Sequence, residues 1–268
     1  MTFRFGRAYV WKYGGLQERA FVGWVPADRM RTVTPQDYRT VIVAIDGPAS
    51  SGKSTTARAV AQKVGLLYLD TGAMYRAVAL AFLRAGIEPD PAEAERVLDA
   101  LHVDVDHDAD GAMRVTLDGK DVTEEVRAPE VTRRASEVSA LPAVREKLVE
   151  EQRRIAAACE AEGGGVVLDG RDIGTVVFPE ADVKIFLVAD AEVRARRRRA
   201  ELLEKNGEAP PLEEVLENIR RRDAQDRARE MSPLRQAEDA VALDTTERSI
   251  EEQVEFVAQR VRTYRAAA

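Results

Sequence analysis

The chain has 268 residues, enough to bury on the order of 70 to 75% of its unfolded surface around one substantial core. Its 47 carboxylates against 40 basic side chains, a formal charge of −7, argue against a general affinity for nucleic acid, and one cysteine with two histidines excludes an intramolecular disulfide and a Cys/His zinc site. No apolar run approaches the roughly 20 residues that cross a bilayer, and no secretory signal opens the sequence, so a soluble cytoplasmic protein without membrane partners is expected.

Residues 1–39 hold both tryptophans and three of the seven phenylalanines but show no sustained period of 2 or 3.6. They are expected to form an N-terminal extension outside the core, with a small docked appendage as the rival reading. Met30 offers an internal start ahead of the first core strand. From Val41 onward short apolar runs alternate with helical patterns, the signature of βαβ units and a parallel sheet. Strands are predicted at 41–46, 66–69, 165–169, 182–188 and 240–244, and four of them end in or run into Asp. That matters because ligands of open α/β sheets bind beyond the carboxyl ends of the strands.

Directly after the first of these strands comes GPASSGKST, comprising Gly47, Pro48, Ala49, Ser50, Ser51, Gly52, Lys53, Ser54 and Thr55. A glycine-bearing loop between a buried strand and a helix start leaves several N–H groups pointing into one concavity, where the helix dipole favours negative charge. The pattern predicts a phosphate cradle in which Lys53 reaches the β- and γ-phosphates of a nucleoside triphosphate and Ser54 ligates its Mg²⁺.

Between about 101 and 125 the period changes to 2 around the turn-formers DADG and DG, which reads as a small antiparallel insert. Arginines crowd into 194–199 and 220–229, local basic clusters that suit a small anionic ligand. In the helix LEEVLENIRRRDAQDRARE, Arg222, Asp226 and Arg229 fall at i, i+4 and i+7, on one face. DGRD at 169–172 places two carboxylates and an arginine at a strand end, a costly way to fill a turn unless they bind something.

GPASSGKST, LDTGAMYR, ASEVSALPAVRE, DGRDIGTVVFP, RARRRRAELLEKNG and RRRDAQDRAREMSPL stand in the order and spacing of bacterial cytidylate kinases, which the chain resembles from about 40 to 265. The resemblance implies a P-loop nucleoside monophosphate kinase fold, an α/β fold with a five-stranded parallel sheet flanked by helices. An NMP-binding insert at about 98–138 and a mobile lid at about 194–210 belong to it, within a kinase domain spanning 40–268. It implies transfer of the ATP γ-phosphoryl group to CMP or dCMP with Mg²⁺, by a monomer whose partners are these nucleotides. It places Arg76 and Arg171 on the CMP phosphate, Arg197 and Arg198 in the lid over the transferring group, and Thr71 where relatives also carry serine. Asp226 would accept from the ribose hydroxyls, with Arg222 near the 3′-OH and Arg229 near the phosphate; Asp169 would organise the Mg²⁺ shell through water.

Base choice is expected from Ser136, Arg145 and Asp172. Cytosine offers an amino donor to a hydroxyl or carboxylate and two acceptors to an arginine, whereas uracil would set a carbonyl against Asp172, at a cost of roughly 1 to 3 kcal/mol. The alternatives are a P-loop kinase for UMP, AMP or shikimate, and a nucleotide-binding regulator without catalysis.

Overall fold

The computed structural model describes residues 6–12, 15–21, 40–99, 101–108 and 113–267. Its main sheet has five parallel strands in the order β10-β9-β3-β8-β4: β3 (Ile42–Asp46), β4 (Leu67–Asp70), β8 (Val166–Gly170), β9 (Val183–Val188) and β10 (Val241–Asp244). Each lies within one residue of its predicted range. Apart from Asp46, Asp169 and Lys184 the central strands are apolar, because both faces are covered, as parallel sheets require. Successive residues split between two cores. Ala44, Leu69, Val166 and Leu168 face α2 (Thr71–Ala85) and α5 (Pro142–Ala161), while Val43, Ile45, Val167 and Leu187 face α1 (Lys53–Val64) and α8 (Ile250–Ala266). Phe82, Ile45, Leu69, Met74, Leu148 and Leu168 are among the largest fully buried side chains, each contributing about 1.5 to 3 kcal/mol through burial.

Register fixes what stands at the sheet's carboxyl edge. Asp46 pairs with Gly170 across β3 and β8, and Asp70 with Asp169 across β4 and β8, so the loops after three adjacent strands share one rim. Helix α2 starts at once from this rim, its first turn capped by Asp70, which accepts from the Ala73 N–H at 2.9 Å.

The insert begins with α3 (Pro91–Asp99), then forms a three-stranded antiparallel sheet of β5 (Val103–His107), β6 (Met113–Leu117) and β7 (Lys120–Asp121). The DG turn joins β6 to β7 with both residues left-handed, Asp118 at φ 50° and Gly119 at 76°, the backbone a two-residue hairpin needs. The DADG turn lies mostly outside the described residues. Val115, Leu117, Val122 and Val126 pack into the same core as α2, and α4 (Pro129–Val138) completes the insert. The insert therefore shares its interior with the main sheet.

Residues 1–39 contain order that the sequence reading did not anticipate: β1 (Gly6–Lys12) and β2 (Gly15–Phe21) form an antiparallel hairpin with its own two-stranded sheet. Two seven-residue strands are too short to impose a period on the whole segment. Trp24 and Met30 lie outside the described residues.

Candidate active site

The loop after β3 is shaped by its glycines. A Cβ on Gly47, whose φ is 149°, would fall 2.4 Å from the Leu187 carbonyl oxygen, and Gly52 adopts φ 92° at the entry to α1. Ser50 is left-handed without being glycine, at φ 59°. Helix α1 has no side-chain N-cap hydrogen bond, which leaves its first-turn N–H groups to an anion. Lys53 is buried and its Nζ donates to the Pro48 carbonyl at 2.6 Å, curling the side chain back over the loop. Burial, with the charge of Arg171 added, pulls its pKa well below the usual lysine value, while Asp169, Asp226 and Asp46 oppose the shift. The buried Ser51 hydroxyl finds no partner among the described residues, and Thr55 is exposed on the first turn.

Ser54 donates to Asp169 Oδ2 at 2.7 Å, and the other oxygen of that carboxylate accepts from the Tyr68 hydroxyl at 2.8 Å. Burial raises the Asp169 pKa and Asp70 adds to it, against Lys53 and the two hydroxyl donors. A hydroxyl and a carboxylate in contact beside a phosphate loop fit Mg²⁺, which takes few protein oxygens and fills its octahedron with water and phosphate. Among the described residues there is no cluster of three or more His, Cys, Asp or Glu that would hold a metal by itself.

Across the rim stand four arginines with two carboxylates, Asp226 and Asp70. Asp226, on α7 (Leu212–Ala228), accepts from Arg171 Nε at 2.9 Å and pairs with Arg229 at 2.5 Å. Burial opposes its ionisation, but Arg171 and Arg229 hold its pKa below the usual carboxylate value. Arg76 pairs with Asp70 at 3.1 Å. Arg222 makes no ion pair with any described residue and is half-buried. Burial first, then Arg171, lowers its pKa to about 10, with Arg198 and Arg76 adding to the fall and Asp226 opposing it. Positive charge here exceeds what the protein's own carboxylates neutralise.

Thr71, buried at the start of α2, donates to the Asp169 carbonyl at 2.7 Å. Arg145 and Asp172 form a buried ion pair at the insert side of the cluster. Arg145 also donates to the Ser139 carbonyl at 3.0 Å and lies 5.3 Å from the centroid of the Tyr75 ring, within cation–π range. Arg229 donates to the Ser139 hydroxyl at 2.9 Å. Ser136, half-buried in the last turn of α4, joins this group through its carbonyl, which accepts from the Ser139 hydroxyl at 3.1 Å. Ser139, Tyr75 and Asp70 were not singled out from the sequence. Tyr75 adjoins Arg76 in LDTGAMYR, and Asp70 is an N-cap in the same motif, so a signal existed for both.

Of the expected lid segment, residues 194–206 lie in α6 (Ala191–Asn206), packed against α7, and several of its cations are engaged by neighbouring groups. Arg194 is buried against Asp223 at 2.7 Å and donates to the Ala49 carbonyl of the phosphate loop at 3.0 Å. Arg197, expected over the transferring group, donates to the Thr245 and Thr246 carbonyls at 2.5 and 3.2 Å, which keeps it out of the arginine cluster. Arg198 pairs with Glu201 at 2.8 Å and Arg196 with Glu192 at 3.8 Å. Lys205 donates to the Arg127 carbonyl of the insert at 3.3 Å. A run of adjacent arginines on a helix points around the whole axis, so the sequence could not say which of them face the site.

The phosphate loop after β3 and Arg171 directly after β8 stand on one sheet rim, the arrangement of a P-loop kinase. The sequence comparisons agree with that class: residues 43–263 match the family "Cytidylate kinase". A "Cytidylate kinase" of Salinibacter ruber is 55% identical over 222 residues, covering 83% of this chain and 97% of the relative. Those of Limosilactobacillus reuteri and Pelotomaculum thermopropionicum are 49% and 48% identical, covering 82% of this chain and 94% and 95% of theirs. The chain belongs to the cytidylate kinase family.

Proposed function

We propose that this protein transfers the γ-phosphoryl group of ATP to CMP or dCMP, giving ADP and CDP or dCDP. The observation that carries the reading is Ser139, whose carbonyl accepts from Arg145 and whose hydroxyl accepts from Arg229. It joins a base-reading pair to a phosphate-binding cluster within the span of one mononucleotide.

The acceptor phosphate oxygen is already ionised near neutral pH, so the chain has to align the reactants and cancel charge. Arg76, Arg171, Arg222 and Arg229 take the CMP phosphate and sugar, since planar guanidinium groups pair bidentately with phosphate oxygens. Asp226 keeps Arg171 and Arg229 in place and faces the ribose hydroxyls. The Arg145–Asp172 pair presents donors to the cytosine N3 and O2 and an acceptor to its N4, with Ser136 at its edge and the Tyr75 ring alongside. The N–H groups of Gly47–Thr55 cradle the triphosphate, and Lys53 exchanges the Pro48 carbonyl for a phosphate oxygen and follows the charge into the transition state. Ser54 and, through water, Asp169 would hold Mg²⁺, which would supply charge neutralisation at the triphosphate. Arg198 is the lid residue whose charge reaches Arg222.

Every group in this scheme comes from one chain, which fits a monomer, and no helix among the described residues is long and apolar enough to cross a membrane. We place the enzyme in the cytoplasm. An ADP-release assay with ATP and Mg²⁺ against CMP, dCMP, UMP, AMP and shikimate tests the reading. CMP and dCMP should exceed the others in kcat/KM by at least about tenfold, the scale of one mismatched buried polar contact. Equal rates with UMP or AMP would overturn it.

A further inference from the structure

We propose that Asp46 is a positioning residue for cytosine recognition: its carboxylate holds the turn that presents Arg171 and Asp172 to the acceptor nucleotide. The proposal rests on the reading of Asp172 as a group that faces the base.

Asp46 is the last residue of β3, is 5% exposed, and precedes the phosphate loop. Its Oδ1 accepts from the Ile173 N–H at 2.9 Å and its Oδ2 from the Gly174 N–H at 2.7 Å. Its backbone meanwhile pairs with Gly170 in the β3–β8 register. The chain leaves β8 at Gly170, passes through Arg171 and Asp172, and returns to the Asp46 carboxylate. Arg171 and Asp172 thus form the tip of a loop closed at both ends by one residue of the neighbouring strand.

Beyond the tip the backbone tightens. The Asp172 carbonyl accepts from the N–H groups of Thr175, Val176 and Val177, at 3.3, 2.9 and 3.1 Å, opening the turn at Ile173–Val177. That turn uses up the Asp172 carbonyl and leaves the N–H groups of Ile173 and Gly174 to Asp46. Among short side chains only a carboxylate offers an acceptor oxygen to each of two adjacent donors.

The fold keeps this carboxylate at a cost. Burial pushes its pKa up to about 7, with Asp172 adding to the rise and the two N–H bonds and Lys53 opposing it. Nothing in the proposed transfer requires Asp46 to touch either nucleotide. Its two bonds go to the residues directly after the base-reading pair, so its effect should appear in the acceptor site and leave the triphosphate site alone.

The test measures kcat and KM for ATP, CMP and UMP in Asp46→Asn, Asp46→Ser and Asp172→Asn, with melting temperatures alongside. Asn keeps the volume but turns an NH₂ toward a backbone N–H, while Ser leaves one acceptor without that conflict. In Asp46→Asn, KM for CMP should rise by about tenfold and the CMP to UMP ratio of kcat/KM should narrow by about fivefold, with KM for ATP within about twofold of wild type. Asp46→Ser should shift in the same direction by less. Parallel loss of ATP and CMP binding, or failure of both Asp46 variants to fold, would make Asp46 a framework residue and overturn the proposal. So would an unchanged CMP to UMP ratio in both Asp46 variants when Asp172→Asn narrows it. If Asp172→Asn is the silent variant, the base-reading role of Asp172 fails and this proposal falls with it, and the identity of the silent variant tells the two failures apart.

Discussion

At the scale of single residues, Arg222 concentrates the argument. A guanidinium with its pKa lowered to about 10 is held in a place that disfavours its own charge, and a phosphate dianion would relieve that cost. Replacing it with Ala should raise KM for CMP by one to two decades, since a charge-assisted hydrogen bond contributes about 1.5 to 3 kcal/mol. KM for ATP should stay within about twofold, and thermal stability should hold or rise as like-charge repulsion is removed. Unchanged CMP kinetics would remove Arg222 from the acceptor site. The residue scale also marks where sequence reading stops. Lys53, Ser54 and Asp169 are legible because a strand, a glycine loop and a helix start leave little choice about where they point. Ser139 is not, since its partners Arg145 and Arg229 are brought to it by α5 and by the end of α7. Asp46 was visible only as an acid at a strand end; its partners are backbone N–H groups, which carry no signature in the sequence.

At the scale of elements, the α6–α7 hairpin is anchored at its root. Arg194 ties its base to the phosphate loop and to Asp223, both side chains buried, whereas Arg196, Arg198 and Lys205 further along make the exposed contacts typical of a solvated helix face. Hydrogen exchange should therefore split within one helix. Amides near Arg194 and Asp223 should exchange slowly with or without nucleotides, and those from about 198 to 211 should slow by about tenfold when ATP and CMP analogues bind together. Uniform protection along α6 in the unliganded protein would mean that the hairpin does not open. Arg194→Ala should destabilise the fold by about 3 to 5 kcal/mol, because it strands a buried carboxylate. The cluster of basic residues was legible in the sequence and its division of labour was not, since burial of Arg194 depends on a carboxylate one helix away.

At the scale of the whole molecule, the parallel sheet and its strand positions were readable because buried strands are mostly apolar and the crossovers keep helical periods. The N-terminal hairpin was not, since it draws nothing from that pattern. Removing residues 1–29 should leave kcat within about twofold and the melting temperature within about 2 °C, since every strand of the main sheet and every proposed site residue lies beyond them. A larger fall would mean that the extension docks on the core. The strand order has another consequence, for the newly made chain. β3, which bears the phosphate loop, touches neither its predecessor nor its successor in sequence; Ile42 pairs with Val166 and Val43 with Val183. Closing such distant pairings is entropically expensive and late. The loop that cradles ATP is among the first parts of this domain to leave the ribosome, yet its strand gains neighbours only after β8 and β9 emerge, and the acceptor pocket waits longer still for α7. Nucleotide binding should switch on near the end of synthesis, and until then the apolar strand β3 is a segment for chaperones to shield.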